Sequence, residues 1–555
     1  MSATDTRDGG LVFLPLGGAG EIGMNLSLYG HAGKWLMVDL GITFADETLP
    51  GIDILMPDPA FIEGERDDLV ALVLTHAHED HLGAVPHLWP RLRCPVYATR
   101  FAAALLHRKL VDAGLEDEVE VRLYEPGDVL DIKPFRVTPI GITHSIPESM
   151  ALAIETAAGT VLHTGDWKLD ETPLVGPATD REALQKFGDM SVLALVCDST
   201  NVFNKGRSGS EAAVREGLLD LLKDKPGRIA VTTFASNVAR FETVAHVSRE
   251  LDRHLVIVGR SLWRIHDAAR EAGYLRDLPP VLSERDFGDL PRDKVLLLCT
   301  GCQGEVQGAM ARIANGDHRH VHLSPGDTVV FSSRIIPGNE RTLFSLHNKL
   351  ARAGIEVVTE KDHFVHVSGH PAREELAEMY RLIRPRVAVP VHGEARHLAE
   401  HAAFAKSLQV PQAVILNNGD VLRLGPGEPA VAGEVPAGRL ALDGDADLIA
   451  PEGELVRRRR RLMYNGVAVA NLVFDPQGDL ETEPAITLVG VAEDESDGFE
   501  DEVADSVARA VEGLPGRMRF DDDKVIESAT KALRAAVRRR IDRRPHVEIR
   551  IARVR

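Results

Sequence analysis

The run Leu72-Val73-Leu74-Thr75-His76-Ala77-His78-Glu79-Asp80-His81 constrains this chain more than any other. Its first four residues, apolar or β-branched, predict a buried strand. The next six hold three imidazoles and two carboxylates. They predict a polar loop at the strand's carboxyl end, where open α/β sheets place their ligands. Neutral imidazole and carboxylate are the N/O ligands of zinc and similar divalent metals. So many in one turn point to more than one ion. A polar turn with merely exposed histidines is the bland alternative, but such a density of ligand types is rare in turns.

The 555 residues, 44% of them hydrophobic, suffice for about three to four domains with real cores. No run of 18 apolar residues occurs, so no transmembrane helix is expected. Met1 to Gly10 is polar, and no signal peptide is expected. Only Cys94, Cys197, Cys299 and Cys302 are cysteines, which predicts a reducing, cytoplasmic setting. A net charge of −20 argues against a chain that coats nucleic acid, but leaves room for a nucleic-acid substrate in a metal-lined groove.

Leu11 to Leu16 reads as a strand entering Gly17-Gly18-Ala19-Gly20-Glu21-Ile22-Gly23. Gly18, Gly20 and Gly23 fit a dinucleotide-binding spacing, but that fingerprint needs a helix to open behind the glycines. Here Asn25 to Tyr29 alternates like a strand, and Trp35 to Val38 is its hairpin partner. Asp39 ends that strand, either supporting metal ligands or capping the turn. Further strands end in polar residues: Phe135–Ile140 leads to His144, Thr160–Leu162 to Asp166, and Leu193–Val196 to Asp198. Strands and helices then alternate from Gly209 to Ser332, which predicts a doubly wound parallel sheet. Cys299-Thr300-Gly301-Cys302 has no second pair to complete a zinc ribbon, so its reading is structural. The five arginines Arg457–Arg461 read as a solvated linker rather than an RNA contact. Pro426 to Gly453 is rich in Gly, Pro, Ala and acids, the expected end of the core, and a compact α/β domain follows.

His76-Ala77-His78-Glu79-Asp80-His81 resembles the H-x-H-x-D-H signature of the metallo-β-lactamase superfamily, with Asp39, His144 and Asp166 in the order of its other motifs. The long insertion, Asp198, Ser368-Gly369-His370 and Val387–Glu394 resemble its β-CASP, nucleic-acid-processing branch. Within that branch Gly17–Asn25, Thr300–Glu305, Ile336-Pro337-Gly338-Asn339-Glu340 and His366–His370 are similar to the ribonuclease J family. The implied fold class is α/β: an αββα metallo-β-lactamase sandwich with an inserted β-CASP subdomain and a small C-terminal α/β domain. The implied division is 1–208 and 361–447 for the metallo-β-lactamase domain, 209–360 for the insertion, 448–465 for a linker and 466–555 for a self-association domain.

The resemblance implies two divalent ions per chain. His76, His78 and His144 would hold one and Asp80 and His81 the other, Asp166 would bridge both, and His392 would be the last ligand. Zinc suits the ligand set, and manganese or magnesium would also serve. Such a pair would activate water and clamp a phosphodiester, with Asp80 in the catalytic set and Asp198 and His370 moving a proton or holding geometry. Ser368, Gly369, His370, His366, Ser332, Ser333 and Arg334 would receive a substrate phosphate. The implied activity is a 5′-to-3′ exoribonuclease, with endonuclease action as well, in rRNA processing and mRNA decay. Its products would carry 5′-phosphate and 3′-hydroxyl ends. The implied partners are single-stranded RNA, further copies of the chain as a dimer or tetramer, and RNA-decay proteins, with no membrane. A DNA-directed nuclease of the same branch is the rival reading. A small-molecule hydrolase fits the long insertion and the late His392 poorly.

Overall fold

In a computed structural model, strands Leu11–Gly17, Leu26–His31 and Lys34–Val38 run antiparallel in sequence order, the hairpin predicted behind the glycines. The structure describes residues 4–336, 338–445, 447–491 and 498–554. Pro337 of the string Ile336–Glu340, and the first three residues of the N-terminal reading, lie outside the described residues. The chain divides into two units, Met1–Thr43 with Met56–Arg439, and Phe44–Leu55 with Leu440–Arg555.

In the first unit Lys34–Val38 pairs in parallel with Leu69–Val73, the strand that feeds the histidine-rich turn, within an eight-stranded sheet. A seven-stranded sheet faces it. There Phe135–Ile142, Ser149–Thr156 and Gly159–His163 are antiparallel, and Ala194–Asp198 and Val387–Val391 continue in parallel. Between the sheets Phe13, Leu36, Val38 and Val73 share one core with Val137, Leu152, Val196 and Val389. Each such burial contributes roughly 1.5–3 kcal/mol. The other face of the second sheet packs Leu162, Leu195 and Ala388 against Trp167, Leu184, Leu376 and Met379. Leu184 and Leu376 come from helices Arg181–Asp189 and Arg373–Ile383. The result is the expected αββα sandwich.

The inserted subdomain is a six-stranded sheet whose pairs are all parallel. Its strand Val295–Cys299 is buried throughout, as a parallel strand covered on both faces must be. Helices Val238–Glu250, Arg260–Glu271 and Glu340–Arg352 alternate with the strands. Arg240 is fully buried, pairs with Glu211 at 3.0 Å, and donates to the Ser332 and Val365 carbonyls. Because every charge there is matched, the buried pair survives its desolvation cost. The strand that leaves the sandwich for the insertion, Ala194–Asp198, lies beside the one that returns, Val387–Val391, with Asp198 opposite Val391.

In the second unit strand Val467–Phe474 lies between Ala485–Val489 and His546–Arg553. Helices Phe499–Glu512 and Asp522–Ile541 pack Val503, Val507, Leu533 and Val537 against its Ala470, Leu472 and Phe474. The linker expected over 448–465 is corrected. Helix Glu454–Asn465 occupies most of it, and strands Ala430–Glu434, Arg439–Asp443 and Asp447–Ile449 precede it. Short edge strands are hidden by Gly and acidic composition, and arginine is a good helix former. Two of the five arginines make intramolecular pairs, Arg459 bidentate with Asp443 at 2.8 Å and Arg458 with Glu548 at 3.3 Å. Phe44–Leu55 groups with this unit, which no change of composition announces.

Candidate metal centre

The turn after Leu69–Val73 is not all loop. His78 is extended at φ −71°, and Glu79–Leu82 forms one helical turn. Acidic residues suit that position, where the helix N-terminus carries partial positive charge. Gly41 lets the backbones close, since a Cβ there would stand 1.7 Å from the Asp80 carbonyl oxygen. From this turn and the distant strand ends, donor atoms converge in three overlapping groups: His76, His78, His144 and Asp166; Asp80, His81, Asp166 and His392; and Asp166, Asp198, His370 and His392. Within each group the atoms lie within 4.8 Å of one another.

Hydrogen bonds on the far side of each ring decide which nitrogen faces the centre. Asp39, in the left-handed region at φ 62°, accepts from His81 Nδ1 at 2.7 Å and from the Thr75 hydroxyl at 2.8 Å. With its proton given to Asp39, the Thr75 oxygen accepts from His76 Nδ1 at 3.0 Å. His144 Nδ1 donates to the Gly369 carbonyl at 2.7 Å. Nδ1 of each of these rings therefore holds a proton on the outer side and Nε2 is the nitrogen turned to the centre, a lone pair in the neutral His76 and His144. His76 Nε2 and His144 Nε2 each lie 3.1 Å from His78 Nδ1. Two lone pairs aimed at one ring nitrogen in a buried space are more than a single proton there can satisfy, and a cation would resolve them. His81 Nε2 lies 3.3 Å from Asp166 Oδ2, and His392 Nε2 lies 3.1 Å from Asp80 Oδ2. Asp166 Oδ1 is buried without a hydrogen-bond partner. Donor chemistry, tautomers and this orphaned oxygen all fit divalent metal.

Charge is divided between the clusters. Burial pushes His76 and His144 well below the ordinary imidazole range and His78 to about 4. Burial also opposes charge on His81 and His392, but the carboxylates of Asp166, Asp80 and their neighbours hold both well above it. His370 Nδ1 bonds Asp198 Oδ2 at 2.8 Å. Asp198 and Asp166 there outweigh burial and raise the imidazole's pKa.

The residues expected to receive phosphate separate into two sets. The Ser368 hydroxyl accepts from Asn201 Nδ2 at 2.7 Å and from the His370 N–H at 3.2 Å, leaving its own proton to donate. His366 is half-buried with Nδ1 buried and unpartnered, and burial with nearby Arg240 and Arg334 lowers it to about 3. Ser332 is a correction: it is fully buried, gives its only proton to the Val365 carbonyl at 2.7 Å and accepts from Arg240. Ser333 donates to the Cys302 carbonyl at 3.3 Å, while Arg334 is exposed. Cys299 and Cys302 are buried free thiols in none of the donor groups among the described residues. Burial, with Glu305, pushes Cys302 up to about 12. Sequence reasoning missed Asn25, whose Nδ2 bonds the Asp80 carbonyl at 3.0 Å, and the hydroxyls of Thr75 and Thr200. Thr75 was legible only as the residue before the first histidine.

Four family models match successive parts of the chain. They are the metallo-β-lactamase superfamily over residues 20–232, the ribonuclease J β-CASP domain over 226–350, the Zn-dependent metallo-hydrolase RNA specificity domain over 354–411, and the ribonuclease J C-terminal domain over 454–554. The chain is 43% identical to ribonuclease J of Sinorhizobium meliloti, over 99% of this chain and 98% of that one. It is 37% identical to ribonuclease J of Mycolicibacterium smegmatis, over 95% and 94%. Among solved structures, a protein of unknown function from Enterococcus faecalis shares the fold at TM-score 0.53 and 17% identity, covering 74% of this chain and all of that one.

Proposed function

This chain belongs to the ribonuclease J family, and from that premise we propose that it is a metal-dependent ribonuclease acting on single-stranded RNA. It hydrolyses phosphodiesters from the 5′ end, with endonucleolytic cleavage as a second mode, and leaves 5′-phosphate and 3′-hydroxyl products in rRNA processing and mRNA decay. The observation that carries the reading is Asp166, shared by all three donor groups, with the Asp198–His370 pair beside it. Two divalent ions, for which zinc suits the N/O donors and manganese or magnesium is the alternative, supply Lewis acidity and acidify water.

The remaining work falls to the chain's own residues. His76, His78 and His144 form one site, Asp80, His81 and His392 the other, and Asp166 holds them together. Asp198 fixes Nδ1 of His370, so Nε2 is the ring nitrogen left to deliver a proton to the leaving oxygen. The Ser368 hydroxyl, the Gly369 N–H, the Arg334 guanidinium and His366 supply donors for a 5′-monophosphate. Metal held by these residues would meet charge at phosphorus in place of many lysines, which reconciles an acidic protein with an RNA substrate. The insertion, 209–360, forms one wall of a groove that tracks backbone and reads few bases. The C-terminal domain, 466–555, brings copies together as a dimer or tetramer in the cytoplasm, and RNA-decay proteins are the further partners.

The decisive experiment digests 5′-monophosphorylated RNA, the same RNA with a 5′-hydroxyl, and DNA of the same sequence side by side. Faster loss of the monophosphorylated RNA is expected. Equal or preferred digestion of DNA would replace this reading with that of a DNA-directed nuclease of the same branch.

A further inference from the structure

Thr200 lies beside Nδ1 of His392, the ring nitrogen away from Asp80, which also stands 3.4 Å from Asp166 Oδ1. Its hydroxyl bonds Asp198 Oδ1 at 2.7 Å and stands 3.0 Å from His392 Nδ1. A hydroxyl has one proton, and the charge-assisted bond to a carboxylate takes it. The other acceptors beside it, the His392 carbonyl at 3.2 Å and His392 Nδ1 at 3.0 Å, are uncharged and more distant than the carboxylate oxygen. With that proton on Asp198, the Thr200 oxygen accepts from His392 Nδ1, so Nε2, 3.1 Å from Asp80 Oδ2, is the ring nitrogen that gives up its proton to bind metal.

The same device stands on the opposite side of the centre. Asp39 receives His81 directly and His76 through the Thr75 hydroxyl. Asp198 receives His370 directly and His392 through the Thr200 hydroxyl. Each buried carboxylate thus orients two imidazoles, one by contact and one by way of a threonine. His392 has particular need of it. Its backbone is held at φ 51°, in the left-handed region that a histidine occupies at a cost of about 1–3 kcal/mol. Its N–H bond to the Gly18 carbonyl at 2.6 Å fixes the backbone but not the ring.

We propose that Thr200 is a positioning residue. Its hydroxyl fixes the tautomer and ring plane of His392, and so sets the affinity of the Asp80–His81–His392 cluster for metal and couples that cluster to the Asp198–His370 pair. This rests on the dinuclear reading above. Groups that orient a metal-binding histidine through its second nitrogen typically contribute 10- to 100-fold in metal affinity.

The test titrates the full chain, stripped of metal, with zinc ion against a chromophoric chelator. Wild type is expected to take up two zinc ions per chain. Thr200→Val, which keeps the shape and removes the hydroxyl, should bind the first as wild type does and the second about 10- to 100-fold more weakly. Thr200→Ser should restore the second constant, and the metal-free melting temperatures of all three should agree. If the valine variant does not fold, Thr200→Ala is read in its place. A second zinc constant within about twofold of wild type, or failure of serine to rescue it, overturns the role given to the hydroxyl. Uptake of fewer than two zinc ions by wild type would instead overturn the dinuclear reading.

Discussion

The carbonyl of Gly369 lies 2.7 Å from Nδ1 of His144, although the two residues are 225 positions apart. A Cβ at residue 369 would stand 2.8 Å from Cε1 of that ring and 3.0 Å from Cβ of Ser145. The glycine is therefore a matter of space. The segment that follows the insertion is pressed onto a ligand that precedes it, and it orients that ligand through its backbone.

Gly369→Ala should push the His144 ring out of line and weaken the His76–His78–His144 cluster, about 10- to 100-fold in metal affinity, while leaving the fold intact. Metal titration followed by circular dichroism checks both halves. Wild-type affinity in the variant would show that the loop yields and the contact is incidental.

Metal uptake should release protons unequally. A ligating imidazole must be neutral. In protein stripped of metal, burial already keeps His76, His78 and His144 neutral at pH 7, whereas Asp166, Asp80 and neighbouring carboxylates keep His81 and His392 charged. Loading the second cluster should then expel about two protons and the first close to none. Affinity for the second ion should fall as pH is lowered. Calorimetry in buffers of differing ionisation enthalpy measures the protons, and equal release from both sites would contradict the assignment.

Asp80→Ala or His81→Ala should leave one ion per chain and remove nuclease activity without unfolding the protein. Elemental analysis and RNA digestion read the two effects. Full degradation of RNA by either variant would defeat the dinuclear mechanism.

His370→Ala should retain both ions yet slow cleavage by about 10²- to 10⁴-fold, the range for loss of a positioned acid–base group. Single-turnover kinetics with saturating metal provides the measurement, and unchanged turnover would remove His370 from proton transfer.

Away from the centre, His401 is fully buried between the Ser199 hydroxyl at 2.8 Å and the Tyr380 hydroxyl at 2.9 Å. Burial lowers its pKa from 6.5 to about 4. Above pH 6.5 the ring is neutral in both folded and unfolded chains, so no penalty arises. As pH falls from 6.5 toward 4 only the unfolded chain takes up the proton, and stability falls by up to about 3 kcal/mol. His401→Gln should lower stability at pH 7 but shrink the loss of melting temperature between pH 7 and pH 5. An unchanged pH dependence would show that other groups carry it.

Much of this was legible in the chain because local chemistry repeats locally. Leu72–His81 announces a strand and its ligands within ten residues. The parallel insertion betrays itself by continuous apolar strands such as Val295–Cys299. Where composition blurs local pattern, reading fails: 448–465 looked like a linker and contains a helix. Ser332, at a strand end beside a second serine, looked like a phosphate donor. Its proton is taken by the Val365 carbonyl because the buried Arg240 draws the strand end at Ser332 and the loop at Val365 together.

By itself the sequence determined which donor atoms exist, the αββα sandwich interrupted by an α/β insertion, and the family to which the chain belongs. These are properties of side-chain type, periodicity and order along the chain. Only the tertiary structure decided which ring nitrogen each histidine turns to the centre, and that two carboxylates, Asp39 and Asp198, do so with a threonine apiece. The physical reason is that a tautomer is set by the partner on the far side of the ring. For His76 that partner is the adjacent residue, but for His144 and His392 it lies 225 and 192 residues away, joined only when the strands on either side of the insertion pack together.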